Sequence, residues 1–277
     1  MPKRLPRYKG VLLQALNLNH MLRAYFDESE REGGVFCVAG FAFASPQDKK
    51  FTKEWSRLFG RYPDGLHMRE LAHRIGAFSG IQAAEQHRLM VEAVKIINRH
   101  VSAGFAISCN LHEVKLLAPR WIRGFGDAYP LCCHLTMLAV GQFLEKSGSA
   151  ERVTYVFESG HSSEAETTDF IRSAVQSPQV AESYRYAGAE FLLKSEAVPL
   201  QAADMLAWEW AKFRDETLEK GIRPLRRSLR ALFENDPKRY SGAHVTGEPL
   251  AKFMVQIREL GLLQLREERA KGGSGAG

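Results

Sequence analysis

Three carboxylates in this chain stand at the end of, or inside, strongly apolar runs. Asp27 follows apolar residues in "LRAYFDES", and Glu158 does the same in "RVTYVFES". Asp204 is the only charged residue of "AVPLQAADMLAW". A buried carboxylate costs on the order of several kcal/mol unless a cation, hydrogen bonds or a proton compensate its charge. Each acid therefore needs a partner.

These residue types favour metal chemistry if the three acids converge. Each carboxylate then raises the cost of ionising the others, and a divalent cation removes that cost. Mg²⁺ or Mn²⁺ binds carboxylate, water and substrate phosphate oxygens, and two such ions about 3.5–4 Å apart can promote phosphodiester hydrolysis. We predict Asp27, Glu158 and Asp204 as catalytic metal ligands. Glu28 is either a further metal ligand or the start of a turn.

Each acid also has a structural explanation when it is taken alone. Asp27 and Glu28 could begin a turn, and Glu158 could belong to a strand-to-helix connection. Asp204 could accept a hydrogen bond from the core, for example from a Trp indole, and Trp208 beside it fits either the core or base stacking. The three acids together favour a functional site.

The elements that must position these acids can be read from hydrophobic periodicity. Strands are predicted at "LRAYFDES", "VFCVAGFAFA", "GFAISCNL", "RVTYVFES" and "AEFLLKSE", with amphipathic or buried helices between the later ones. The first two form a hairpin, and the strand–helix alternation that follows implies parallel pairing. We predict an α/β fold with a mixed sheet flanked by helices, including a helical insertion and C-terminal helices.

Composition narrows the class of protein. The 277 residues are 45% hydrophobic and 25% charged, which matches globular proteins and excludes a disordered or fibrous chain. No apolar run reaches about 18 residues, so we expect no membrane span and a cytoplasmic protein. Residues 1–20 read as a basic arm or leader, 21–270 as a single domain with helical additions, and 271–277 as a flexible tail. The four cysteines form no C-x-x-C pair and are expected to be buried free thiols.

The positive charge is uneven. The formal net charge is +6, and basic residues concentrate in "KGIRPLRRSLRALFENDPKRY". Such a segment suits a polyanion such as nucleic acid, or is simply a solvated helical face. We predict that the substrate backbone is held by Gln201, which shares a helical face with Asp204, and by the arginines of this segment, Arg223, Arg226, Arg227 and Arg230.

The motifs Tyr-Phe-Asp-Glu-Ser, "FCVAGFAF" and "PLQAADMLAW" together resemble the family catalogued as domain of unknown function 3800, over about residues 22–210. The resemblance implies a ribonuclease-H-like fold in which the first and fourth strands lie side by side, with Asp27, Glu158 and Asp204 at one edge. His67 in "GLHMREL" resembles a histidine of that family, which implies a general acid or a phosphate contact; a surface histidine is the alternative.

Two departures from the family pattern affect the site. Glu158 stands where Asp is frequent, and the acid that ribonuclease H carries on its first helix has no match, so Glu28 substitutes for it or the site holds one metal. The leading hypothesis is a Mg²⁺- or Mn²⁺-dependent nuclease acting on RNA or DNA. The alternatives are a catalytically inactive module that binds nucleic acid or protein, and a phosphatase or small-molecule hydrolase. His134 is expected in the core, and His161 reaches the site only if its loop folds back.

Overall fold

The computed structural model describes residues 21–117, 127–234 and 236–255. The predicted arm at 1–20 and tail at 271–277 lie outside these described residues. The predicted C-terminal helix is described for 247–255, where the backbone is helical.

A mixed sheet forms the centre of the fold, as predicted, and it has six strands where five were predicted. Its spatial order is β5-β4-β1-β2-β3-β6, with β1, β2 and β3 antiparallel and with β4 parallel to both β1 and β5. The strands are β1 (Met21–Glu30), β2 (Val35–Ala44), β3 (Ala103–Asn110), β4 (Arg152–Glu158), β5 (Tyr186–Leu192) and β6 (Tyr240–Val245).

Two details of the sheet differ from the sequence prediction. The edge strand β6, parallel to β3, was not predicted, because its exposed, weakly alternating residues give little periodic signal. The last predicted strand began at 189 and ran to 196, whereas β5 begins at Tyr186 and ends at Leu192. The residues after Leu192 therefore lie beyond the strand, at the sheet edge.

Helices cover both faces of the sheet. They are α1 (Gln47–Phe59), α2 (Met68–His73), α3 (Ala83–His100), α4 (Leu111–Leu117), α5 (Ala128–Lys146), α6 (Glu164–Ala174), α7 (Pro178–Ser183), α8 (Pro199–Lys220) and α9 (Arg227–Glu234), with 3₁₀ turns at Gly76–Phe78 and Pro237–Arg239. Helix α8 packs across β1 and β2, and α5 packs on β2 and β3.

Strand alternation divides the core into two clusters, one on each face. Tyr25 of β1 and Val156 of β4 belong to the cluster that contains Leu206 of α8, whereas Phe26 and Phe157 belong to the cluster of α5. Because side chains two apart on a strand share a face, Asp27 and Glu158 point to the α8 side. The sheet thus directs both predicted acids toward the helix that carries the third.

The predictions for cysteine and membrane segments can be compared directly. Free and buried thiols are found for all four cysteines, Cys37, Cys109, Cys132 and Cys133, as predicted. Within the described ranges, no helix combines the length and apolarity needed to cross a membrane.

Candidate active site

The parallel pairing of β1 with β4 brings two of the acids together. In this register Phe26 lies opposite Phe157, so the residues that follow, Asp27 and Glu158, are neighbours at the same edge. Helix α8 crosses β1 and delivers Asp204 to that edge. The convergence that the sequence predicted is therefore present in the structure.

Lys194 lies at the centre of these acids and was not predicted. Its Nζ is 2.9 Å from Asp27 Oδ2, 2.6 Å from Glu158 Oε2 and 3.8 Å from Asp204 Oδ2. The contact with Glu158 is also a hydrogen bond. One ammonium therefore holds three carboxylates that come from β1, β4 and α8.

The sequence contained a signal for Lys194 that the strand assignment hid. Lys194 comes two residues after β5 ends at Leu192, and β5 runs parallel to β4. A residue just beyond β5 lies at the same carboxyl edge as the acids. Placing "LLKSE" inside the strand concealed this position.

Glu28 adds a fourth carboxylate, and the four acids Asp27, Glu28, Glu158 and Asp204 are called the carboxylate cluster below. One ligand oxygen from each of Asp27, Glu28 and Glu158 lies within 4.8 Å of the other two. When the acids are ionised, the buried Asp27 Oδ2 and Glu28 Oε2 accept no hydrogen bond within the described part of the chain, although Lys194 Nζ lies 2.9 Å from Asp27 Oδ2. These orphaned oxygens and the hard-oxygen donor set fit a divalent cation.

Burial and mutual repulsion set the protonation of the cluster. Burial raises the pKa of Asp27 well above its usual range, and its hydrogen bond to Glu158 acts in the same direction. Burial also opposes ionisation of Glu158, but the hydrogen bond from Asp27 and the charge of Lys194 outweigh it and lower the Glu158 pKa. The two carboxyl groups therefore titrate as a coupled pair, in which the charged form is favoured on Glu158 and disfavoured on Asp27.

The remaining charges follow the same logic. Burial raises the pKa of Asp204 although Lys194 and the backbone N–H of Met68 oppose the rise. Burial raises the pKa of Glu28, and the charge of Glu158 adds to it. Burial alone would lower the pKa of Lys194, but Asp27, Asp204 and Glu158 outweigh it and raise that pKa. With all four acids ionised, one ammonium leaves the cluster strongly negative.

Asp204 is held by the chain that leads into α2. Its Oδ2 accepts a 2.8 Å hydrogen bond from the Met68 backbone N–H. Gln201 is buried, and its Oε1 accepts from Trp55 Nε1 and from the Leu66 backbone N–H, each at 2.9 Å. These contacts give Gln201 a structural function, since they tie the segment before α2 to α8, and its contact with substrate stays a prediction.

The three candidate histidines have different surroundings. His67 precedes α2, and it lies near enough to the cluster for its positive charge to lower the pKa of both Glu158 and Asp204. His134 contacts the Tyr184 hydroxyl, and burial lowers its pKa to about 4, as expected of a core histidine. His161 stacks on Tyr129, and its Nδ1 accepts the Ser163 backbone N–H. These contacts hold His161 in a structural position.

The basic segment is partly neutralised by acids. Arg226 pairs with the buried Glu209 at 2.7 Å, and Arg223 pairs with Glu216 at 3.3 Å. Arg227 lines a cavity beside α8, and Arg230 lies in α9. Binding of substrate by these arginines stays a prediction, and for Arg223 and Arg226 it requires competition with their acidic partners.

The comparisons with known proteins give no family. No protein-family model and no curated protein matches the chain. The resemblance carried by the Tyr-Phe-Asp-Glu-Ser and "PLQAADMLAW" motifs therefore stays a prediction.

Proposed function

We propose that this chain is a metal-dependent nuclease with a ribonuclease-H-like fold, as its resemblance to the family catalogued as domain of unknown function 3800 implies. The observation that carries the proposal is the convergence of Asp27, Glu158 and Asp204 within 3.8 Å of one ammonium, with buried carboxylate oxygens left unsatisfied beside it. The adjacency of β1 and β4 supports the fold assignment. We expect a cytoplasmic protein that acts on RNA or DNA.

Asp27, Glu28 and Glu158 would hold the cation, and Asp204 borders the same site through Lys194. Mg²⁺ or Mn²⁺ bound there would lower the pKa of a water and stabilise the leaving oxygen of a phosphodiester. Without a bound cation, the negative charge of the carboxylate cluster would repel a substrate phosphate. This charge must therefore be compensated before a substrate can bind.

The chain's own side chains have defined tasks in this proposal. Glu158, with its lowered pKa, is suited to hold the cation, because its charged form is favoured. His67 lies near the cluster and would donate a proton to the leaving ester oxygen. Lys194 fixes the spacing of Asp27 and Glu158 by contacting both. Hydrolysis breaks one phosphorus–oxygen bond and leaves a phosphate on one product and a hydroxyl on the other.

The direct test combines metal binding with cleavage. Mn²⁺ titration by calorimetry should show binding to the wild-type chain that Asp27→Asn removes, and labelled RNA and DNA strands should be cut by the wild type in Mn²⁺ but not by this variant. Asp169→Asn is the matched control, because Asp169 is exposed on α6 and pairs only with Arg172 among the described residues. Cleavage that persists in Asp27→Asn or in excess chelator contradicts the proposal.

One observation favours a second function, a catalytically inactive binding module. Lys194 already compensates part of the charge of the cluster, as a built-in cation would in a protein that needs no metal. Such a module binds nucleic acid with strong salt dependence and releases no product. Absence of Mn²⁺ binding together with retained oligonucleotide binding would favour this function over the nuclease.

A further inference from the structure

A cavity of about 750 Å³ opens between α3 and the α8–α9 pair. Its volume lies within the range of about 300–1,000 Å³ of sites that enclose small ligands. We call it the α3–α8 cavity. Its walls include the apolar side chains of Met68, Met90, Val91 and Val94, the indole of Trp208, and the basic side chains of Lys95, Lys212, Arg226 and Arg227.

The cavity adjoins the carboxylate cluster through Met68, a residue that borders both. Met68 lines the cavity with its side chain, while its backbone N–H donates to Asp204. On α8, Asp204 is followed by Trp208 and Lys212 at successive steps of four residues, which places all three on one helical face. At a rise of about 1.5 Å per residue, Trp208 and Lys212 lie about 6 Å and 12 Å along the helix axis from Asp204. These spacings suit the steps of a nucleotide chain.

The walls combine apolar and cationic groups with neutral polar ones and one acid, Glu209. Lys212 Nζ lies 4.9 Å and the Arg226 guanidinium carbon 5.3 Å from the ring centre of Trp208. Arg226 is paired with Glu209, but within the described ranges neither Lys212 nor Arg227 forms an ion pair with a carboxylate. Burial and the charge of Arg226 lower the pKa of Lys212, and the charges of Glu216 and Glu209 oppose this only in part. An anionic group bound beside Lys212 would compensate the charge of its ammonium.

We propose that the α3–α8 cavity encloses an unpaired base of single-stranded nucleic acid, with Lys212 contacting the phosphate beside it. A largely apolar cavity with an indole in its wall, bordered by Lys212 and Arg227, which form no ion pair within the described ranges, is complementary to a flat base attached to an anionic backbone. A base stacked inside a duplex cannot enter it, so the cavity selects single strands. The choice of nucleic acid as the ligand rests on the proposed function. A strand whose phosphodiester is cut at the carboxylate cluster would extend along α8 toward this cavity.

The test measures binding in chelator, where no metal-dependent cleavage occurs. Fluorescein-labelled ten-nucleotide single strands of RNA and of DNA, and the corresponding duplexes, are titrated with the full chain by fluorescence anisotropy. Val91→Trp fills the cavity from a position that is 37% exposed, so the variant should fold. Lys212→Ala removes the proposed phosphate contact. Lys252→Ala is the charge-matched control, because Lys252 lies in the helix at 247–255, whose Leu250 packs on the opposite face of the sheet.

Val91→Trp should weaken binding of a single strand about tenfold, since one enclosed base contributes on the order of that factor or more, and should change duplex binding less than twofold. Lys212→Ala should reduce the slope of log affinity against log salt by about 0.7, the value for one phosphate contact on a single strand, whereas Lys252→Ala should not. Single-strand binding by Val91→Trp within twofold of wild type overturns the assignment, as does absence of single-strand binding by the wild type. These results are separable from the proposed nuclease function, which depends on cleavage in Mn²⁺.

Discussion

Replacing Lys194 with methionine tests whether its ammonium stabilises the carboxylate cluster. Methionine keeps most of the length and apolar volume of lysine but removes the charge. Lys194 is 12% exposed, and its Nζ lies 2.6 Å from Glu158 and 2.9 Å from Asp27. Without it, several buried carboxylates have no cation beside them.

The size of the effect follows from these distances. At an effective dielectric constant of about 20, each of the two shorter contacts is worth about 6 kcal/mol, and burial of the ammonium opposes them by several kcal/mol. Removing one partner of a buried ion pair costs about 3–5 kcal/mol in practice. At about 2–4 °C per kcal/mol, Lys194→Met should lower Tm by about 10 °C in chelator.

The stabilisation of the folded chain by Lys194 depends on pH in a defined direction. The carboxylates hold the folded pKa of Lys194 above its usual value of 10.5, so its stabilisation is fully present below pH 10.5 and is lost as pH rises through the folded pKa. The difference between wild type and variant should also shrink on acidification, because protonation relieves the repulsion among the acids. Thermal unfolding of wild type and Lys194→Met at several pH values between about 4 and 9 measures how the difference in Tm changes on acidification.

Mn²⁺ distinguishes charge compensation from simple loss of packing. If the cluster needs a cation, Mn²⁺ should restore much of the lost Tm in Lys194→Met and raise it more than in wild type. Lys252→Met removes a lysine paired with Glu248 on the surface, and should change the free energy of unfolding by less than about 1 kcal/mol. A Lys194→Met protein as stable as wild type in chelator, or one indifferent to Mn²⁺, would refute the reasoning.

Further outcomes concern the acids and the segment before α2. Asp27→Asn and Asp204→Asn should abolish cleavage in a gel assay while Tm stays equal or rises, because a buried negative charge is removed. The raised pKa of Asp27 makes its contribution to the free energy of unfolding fall as pH rises from its unfolded value near 3.8 through the folded pKa; denaturant unfolding should show this decline reduced in Asp27→Asn. Mn²⁺ at 100 times its Kd should stabilise wild type by about 2.7 kcal/mol, and chelator should reverse this in a thermal-shift assay. Gly65→Ala should destabilise by about 1–3 kcal/mol and lower activity, because its φ is +75° and an added Cβ would lie 2.3 Å from the Gln201 amide; Gly80→Ala, with φ +81° and open space, is the control that carries backbone strain alone.

Much of the sheet could be predicted because its central strands are buried on both faces. Strand β2 is apolar throughout its ten residues, and its predicted and observed bounds agree. The acids were identifiable for the related reason that a charge within an apolar run is conspicuous, as Asp204 is on α8. The meeting of Asp27 with Glu158 followed from the resemblance and is confirmed by the register of β1 with β4.

Properties that depend on contacts between distant segments could not be predicted in the same way. Arg226 reads as part of a basic patch, but α8 places the buried Glu209 beside it, and the charge of the patch is reduced. Helical spacing from Asp204 predicts a substrate contact for Gln201 but gives no sign that its amide oxygen accepts hydrogen bonds from Trp55 and Leu66. Helical periodicity identifies the face of a residue but not the partner that the face meets.

Lys194 connects the two functions considered for the cluster. Its ammonium stabilises the folded chain without a metal, which keeps Asp27 and Glu158 close together in the absence of a cation. The same ammonium does not satisfy every buried oxygen, since Glu28 Oε2 lacks a hydrogen-bond partner in the described structure. A nuclease gains a preorganised site from this arrangement, because the acids need not be gathered when the cation binds. An inactive module gains only stability from Lys194, so Mn²⁺ binding by the wild-type chain, with Lys194 in place, separates the two.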